Sequence, residues 1–304
     1  MKIGVFDSGY GGLTILSEIR KALPQYDYLY LGDNARAPYG THSFEVIYRY
    51  TLQAVQYLLN QDCALVILAC NTASAKALRT IQQVDLVERQ KTALLKDKSS
   101  KPVNVLGVIR PTVEAVPAIT RNGHVGILAT PATVSSESYV LELEKLTANS
   151  PQDGLTAKRS NSATVQQRSG LVITQQACPL WVPLIEAGEH DKAGADYFVD
   201  LYLKAILAQD PQIDTLVLGC THYPMLKEKI SQWLKANGQQ LSIIAQGTLV
   251  AESLKDYLQR HPEYREQLSE GGSCRYLTTE NADRFAQSAS IFLSSSIRAE
   301  HVDL

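Results

Sequence analysis

The chain has 304 residues, of which 45% are hydrophobic and 20% charged, with a formal net charge of −2. That length accommodates two ordinary domains, and the composition is that of a globular protein rather than a disordered one. Charges of both signs are scattered, no apolar run reaches membrane-spanning length, and Asp7 arrives too early for a signal peptide; nucleic acid, membrane and secretion are set aside, and the cytoplasm is the expected compartment.

In chain order, short apolar runs alternate with helical patterns. Ile3 to Phe6 is the first predicted strand, ending in Asp7-Ser8-Gly9-Tyr10-Gly11-Gly12 before a helix from about Leu13 to Leu23. Tyr28 to Leu31 is the second and ends in Gly32-Asp33. Ala64 to Ala69 is the third and delivers Cys70-Asn71-Thr72 to the start of a helix, and Val103 to Ile109 is the fourth. The later half repeats the plan with Val125 to Leu128, Leu171 to Thr174, Thr215 to Gly219 and Leu241 to Ala245. Near-continuous apolar strands separated by helices predict parallel sheets covered on both faces.

Two cysteines occupy corresponding places in this plan. Leu68-Ala69-Cys70-Asn71-Thr72 and Leu218-Gly219-Cys220-Thr221-His222 each follow the third strand of their half, a weak but chemically pointed internal repeat. The expected fold is α/β: two similar parallel-sheet domains related by pseudo-twofold symmetry, with the active site in the interdomain cleft. The expected division is 1–100 and 101–304, with the C-terminal part able to pack back on the first domain. Thr147 to Gly170 reads as a long polar surface loop, Glu88 to Lys101 as a charged separator, and Asn281 to Leu293 as a helix in the tail.

The five cysteines (Cys63, Cys70, Cys178, Cys220 and Cys274) are an odd number without a secretory signal, and none forms a C-x-x-C pair. A disulfide framework and a structural zinc site are both disfavoured. Cys63, Cys178 and Cys274 fit the common inert role of buried cysteine. A thiol at a helix start is different, because its pKa of about 8.5 falls there and the neighbouring amides bind carboxylates. Two such thiols facing one ligand make an acid/base pair, one on each side of a substrate carbon. One thiolate removes a proton from one face while the opposite thiol returns one to the other, inverting the stereocentre. With no cofactor as electron sink and no metal, helix-end amides would stabilise the carbanion.

These motifs together resemble the glutamate racemases of the aspartate/glutamate racemase family. The resemblance runs from about Ile3 to Tyr139 and from about Gln176 to Leu254. It is carried by Ile3 to Gly9 with Gly11 to Thr14, Gly32-Asp33 through Ala37 to Gly40, and Cys70 to Ala73. In the later half it is carried by Ala177 to Leu180 with Val182-Pro183-Leu184 and Glu186, and by Gly219 to Pro224. It implies that Cys70 and Cys220 are the catalytic pair, assisted by Asp7 and His222. Ser8, Tyr39, Gly40, Asn71, Thr72 and Thr221 would line the substrate, and Asp33 and Glu186 would be supporting or merely surface carboxylates. Blander roles stand beside these: Asn71 and Thr72 as helix N-caps, Asp7 as a strand terminator, and His222 as a surface cap. Cys-Thr-His-Tyr-Pro at 220–224 is similar to the glutamate enzymes, whereas aspartate enzymes tend to carry Glu at the His222 position.

The resemblance further implies D-glutamate supply for peptidoglycan, and a homodimer with no nucleic-acid or membrane partner. Some relatives carry an N-terminal extension tied to regulation, a mode not expected here because the chain starts at its first strand. The chain departs from the family pattern at Arg110-Pro111-Thr112, in place of Glu-Pro-Gly, and at Ala245-Gln246-Gly247, in place of Asp-Ser-Gly. The rival readings are a racemase for aspartate, a hydantoin or another acid, and a non-catalytic protein binding a small anion. The second is disfavoured because binding does not need two nucleophilic sulfurs. A metal at Cys220 and His222 lacks further ligands, and the early glycines match neither a P-loop nor a dinucleotide fingerprint.

Overall fold

A computed structural model describes residues 1–96, 101–148, 165–168 and 170–304. Most of the polar loop expected at 147–170, and the end of the charged separator at 97–100, lie outside the described residues. The chain divides into two compact units, Met1–Val108 with Gly247–Leu304, and Ile109–Gln246. The first unit is therefore assembled from both ends of the sequence, with the segment from Gly247 onward belonging to it.

Among the described residues the first unit holds six strands, β1 (Lys2–Asp7), β2 (Tyr28–Gly32), β3 (Cys63–Leu68), β4 (Asn104–Gly107), β10 (Cys274–Thr278) and β11 (Ala299–His301). They form one sheet in the order β11-β10-β2-β1-β3-β4, with every pairing parallel. All residues of β2 and β3 are buried, as their unbroken apolar sequences require for strands covered on both faces. Helix Phe44–Asn60 shows how the cover is made. Ser43 caps it by accepting from the Val46 amide, and Ile47, Thr51, Ala54, Val55, Leu58 and Leu59 form its buried face. Those positions repeat at the helical period, and each fully buried aliphatic side chain contributes about 1.5–3 kcal/mol.

The second unit holds β5 (His124–Ala129), β6 (Val165–Arg168), β7 (Leu171–Ala177), β8 (Thr215–Gly219) and β9 (Ser242–Ile244). Their order is β6-β7-β5-β8-β9. Only the edge strand β6 is antiparallel. The expectation of two parallel-sheet α/β regions is borne out. Moreover, counting only the parallel strands of each sheet and so leaving out β6, β2-β1-β3-β4 and β7-β5-β8-β9 have the same order of second, first, third and fourth strand. The internal repeat seen around the cysteines thus extends to the topology of both sheets. In each, the order reverses between the first and third strands, where open α/β sheets bind ligands beyond the strands' carboxyl ends. Cys70 and Cys220 both follow that third strand.

No described helix is long and apolar enough to cross a membrane.

Candidate active site

In the first unit, backbone bonds level the ends of three strands. The Ala69 amide donates to the carbonyl of Phe6 at 2.7 Å and the Asp33 amide donates to that of Asp7 at 3.0 Å. Asp7 closes β1 with its side chain buried, and its Oδ2 accepts from the Gly9 amide at 3.0 Å. The hydroxyl of Tyr30 donates to the Gly9 carbonyl at 3.1 Å, fixing the turn. Gly12 is needed here, because a Cβ at that position would fall 2.5 Å from the Cβ of Asp7. The result sets Ser8 Oγ 3.3 Å from Cys70 Sγ.

Cys70 is itself the N-cap of helix Asn71–Lys76, its sulfur accepting from the Ala73 amide at 3.4 Å. The cap falls one residue before Asn71 and two before Thr72, the residues whose blander role was helix N-cap. Asn71 and Thr72 are instead buried inside the first turn. The sulfur thus meets a helix amide on one side and a hydroxyl on another.

Asp33 is fully buried at the end of β2. Its carboxylate accepts from Arg36 Nε at 2.9 and 2.7 Å and from the Thr279 hydroxyl at 2.8 Å. The Tyr39 hydroxyl also donates to it. Tyr39 is buried, with Gly40 half-buried beside it. Burial, followed by the charge of Asp33, raises the Tyr39 phenol far above its ordinary value. The phenol therefore stays a hydrogen-bond donor. Thr279 had no signal in the sequence, since it lies 246 residues from Asp33, and Arg36, three residues from Asp33, was not singled out.

The second unit uses the same backbone with different side chains. The Cys178 amide donates to the Ala129 carbonyl at 2.8 Å, the counterpart of the bond from Asp33 to Asp7. Where the first unit carries two carboxylates, this one carries Ala129 and Cys178. The charged partner comes from another direction. His222 Nδ1 lies 3.8 Å from Cys220 Sγ, and its Nε2 lies 2.9 Å from Glu186 Oε1. Burial lowers the imidazole pKa, but Cys220 and then Glu186 outweigh it and hold the ring well above the ordinary histidine value. Glu186 ends helix Trp181–Glu186, and Thr221 is buried between Cys220 and His222.

Cys220 precedes a 3₁₀ turn, Tyr223–Leu226, rather than an α-helix directly; helix Lys227–Ala236 follows. Pro224, in the first positions of that turn, supplies no amide hydrogen. The turn is pinned from below, where the Tyr223 hydroxyl donates to the Cys178 carbonyl at 3.0 Å and the ring stacks edge-on against Trp181.

Cys70 and Cys220 are each 6% exposed, and no two of the five cysteines are joined by a disulfide. Burial pushes the Cys63 thiol up to about 12 and Cys178 well above its ordinary value, consistent with inert roles. Among the described residues, no group of three or more His, Cys, Asp or Glu is placed to hold a metal ion.

Two departures from the family pattern meet in space. Gln246 Nε2 donates to Thr112 Oγ1 at 3.0 Å and to the Tyr139 hydroxyl at 2.8 Å. Arg110 pairs instead with Glu114 and Glu142, at 2.6 and 3.3 Å.

Residues 11–254 match the Asp/Glu/Hydantoin racemase family, to which this chain belongs. It is 37% identical to the glutamate racemase of Ruegeria sp. (strain TM1040), over 99% of each chain. The crystal structure of a glutamate racemase isoform from Bacillus anthracis superposes with a TM-score of 0.76 at 30% identity, covering 100% of this chain and 97% of that one. The glutamate racemase of Francisella tularensis, solved in complex with D-glutamate, gives 0.74 at 28% identity, covering 100% and 96%.

Proposed function

We propose that this chain is a cofactor-independent glutamate racemase, an isomerase that interconverts L- and D-glutamate with Cys70 and Cys220 as its acid/base pair. The observation that carries this reading is that each thiol, at the same topological position, has its own polar partner, Ser8 for Cys70 and His222 for Cys220. The likeness to curated glutamate racemases over nearly the whole chain supports the substrate.

In the proposed reaction one thiolate takes the α-hydrogen as a proton and becomes a thiol. The electron pair left on the α-carbon is delocalised into the substrate carboxylate, stabilised by amides at the strand ends. The opposite thiol then gives its proton to the other face and becomes the thiolate. No atom is gained or lost, and the enzyme finishes with its two protonation states exchanged. Asp7 and His222 would help restore them by moving protons to and from the sulfurs. Ser8, Tyr39, Gly40, Asn71, Thr72 and Thr221 would hold the amino acid, with Asp33 and Glu186 fixing Tyr39 and His222. The product D-glutamate would serve peptidoglycan assembly in the cytoplasm, and the active form would be a homodimer.

The test is optical. Purified protein without added cofactor is incubated with L-glutamate and, separately, L-aspartate, and circular dichroism is followed. Decay of the glutamate signal to zero is expected. Decay of aspartate alone would move the substrate assignment within the family, and no decay of either would refute the enzymatic reading.

A further inference from the structure

The parallel ladder that carries β8 stops short of its cysteine. Pairing with β9 ends at Val217 and pairing with β5 ends at Gly219, so Cys220 stands beyond the last sheet bond. Lateral support at that point comes from an aromatic ring. A Cβ placed on Gly219 would lie 3.2 Å from Cε2 of Tyr139, 3.2 Å from the Cβ of Ala129 and 3.1 Å from the carbonyl oxygen of Leu128. Glycine thus lets the Tyr139 ring close onto the backbone immediately before the thiol.

The ring is held in turn at its hydroxyl. Tyr139 is 1% exposed, Gln246 1% and Thr112 0%. The Gln246 amide nitrogen donates one hydrogen to the Tyr139 oxygen at 2.8 Å and the other to Thr112 at 3.0 Å. Thr112 lies in the first turn of helix Ile109–Ile119, and Gln246 is the last residue of this unit. The two residues therefore sit next to the two places where the chain enters and leaves the unit.

We infer that Tyr139, fixed by Gln246 and Thr112, is a positioning residue for Cys220, setting the direction from which its sulfur meets the α-carbon. The inference rests on the proton-transfer role proposed for Cys220. Proton transfer to carbon requires reacting atoms about 3–3.5 Å apart and aligned, and a displacement of about 1 Å can lower the rate about a hundredfold. A side chain that fixes the peptide before the sulfur acts on that geometry without touching substrate.

Two near-isosteric variants test it. Tyr139→Phe keeps the ring and removes the acceptor, and Gln246→Glu keeps the shape and removes both donors. Initial rates are measured from each enantiomer, with hydrogen or deuterium at the α-carbon. Losing the clasp is expected to lower kcat/KM about tenfold. The two enantiomers are equally stable in water, so that loss must be equal in both directions. The isotope effects need not be. The enantiomer deprotonated by Cys220 should show a larger deuterium effect than in the wild type, and the opposite enantiomer a smaller one. Unchanged rates, or a loss with both isotope effects unchanged, would overturn the inference, because a merely structural loss reduces the amount of working enzyme and leaves isotope effects alone. If the wild type leaves both enantiomers untouched, or Cys220→Ala still racemises, the parent reading fails instead.

Discussion

The sulfur of Cys70 lies 3.3 Å from the hydroxyl oxygen of Ser8, a residue 62 positions earlier in the chain. The contact exists because β1 and β3 are neighbours and their ends are levelled by the bond from the Ala69 amide to the Phe6 carbonyl. With the Ala73 amide on another side, the sulfur has two donors available when it carries charge. Ser8→Ala removes one of them and leaves the sheet intact. A net hydrogen bond of about 1 kcal/mol corresponds to a loss in kcat/KM of about fivefold. Steady-state rates with either enantiomer, beside an unchanged melting temperature, check this.

His222 should make stability depend on pH in one direction. Its folded-state pKa is raised, by Cys220 and Glu186 against the opposing pull of burial. A raised pKa contributes stability that is fully present below the unfolded value, about 6.5 for histidine, and is lost as pH rises through the folded-state value. Denaturant midpoints of wild type and His222→Asn should therefore differ most below about pH 6.5 and converge in alkali. Glu186→Gln should shrink the gap. In turnover, His222→Asn is expected to slow proton abstraction from one enantiomer more than from the other, read as diverging isotope effects.

Asp33 is expected to matter for folding as much as for chemistry. It is a fully buried carboxylate bound by Arg36, Tyr39 and Thr279. Asp33→Ala leaves the Arg36 guanidinium without its buried partner and should destabilise the protein by about 3 kcal/mol. Thr279→Val removes one neutral donor to Asp33 and the acceptor of the exposed Ala35 amide, and should cost about 1 kcal/mol. Thermal and urea unfolding of the two variants would show the difference, and equal small effects would contradict the network's assigned weight.

The parts of the fold legible in sequence were those with local signals. The third strands, Cys63–Leu68 and Thr215–Gly219, are unbroken apolar runs, and the polar residues that follow them stand where a ligand would meet the strand ends. The β10 and β11 strands were not legible. Cys274 is half-buried and Arg275 exposed, while Ala299–His301 has only three residues and two of them are exposed. β10 is defined by pairing to β2, far away in sequence, and β11 by pairing to β10. Edge strand Val165–Arg168 was hidden in the same way, within a polar stretch. At the site, both cysteines stood out, but Thr279 on Asp33 did not, because a partner 246 residues away leaves no spacing to detect; Arg36, three residues from Asp33, was near enough but carried no distinguishing pattern. Thr112 and Gln246 each looked like an isolated departure until the bond between them was seen. The N-cap moved to Cys70 because a sulfur took the role that oxygen side chains usually fill.

In the two-thiol reaction the substrate hydrogen leaves to one thiol and a different hydrogen arrives from the other. The direct measurement converts L-glutamate in heavy water, without cofactor, and analyses both enantiomers by mass spectrometry before equilibrium. D-Glutamate carrying deuterium at the α-carbon is expected, while unreacted L-glutamate keeps its own hydrogen, and neither Cys70→Ala nor Cys220→Ala should form product. D-Glutamate that retains the original hydrogen, or racemisation by either variant, would contradict the two-thiol account.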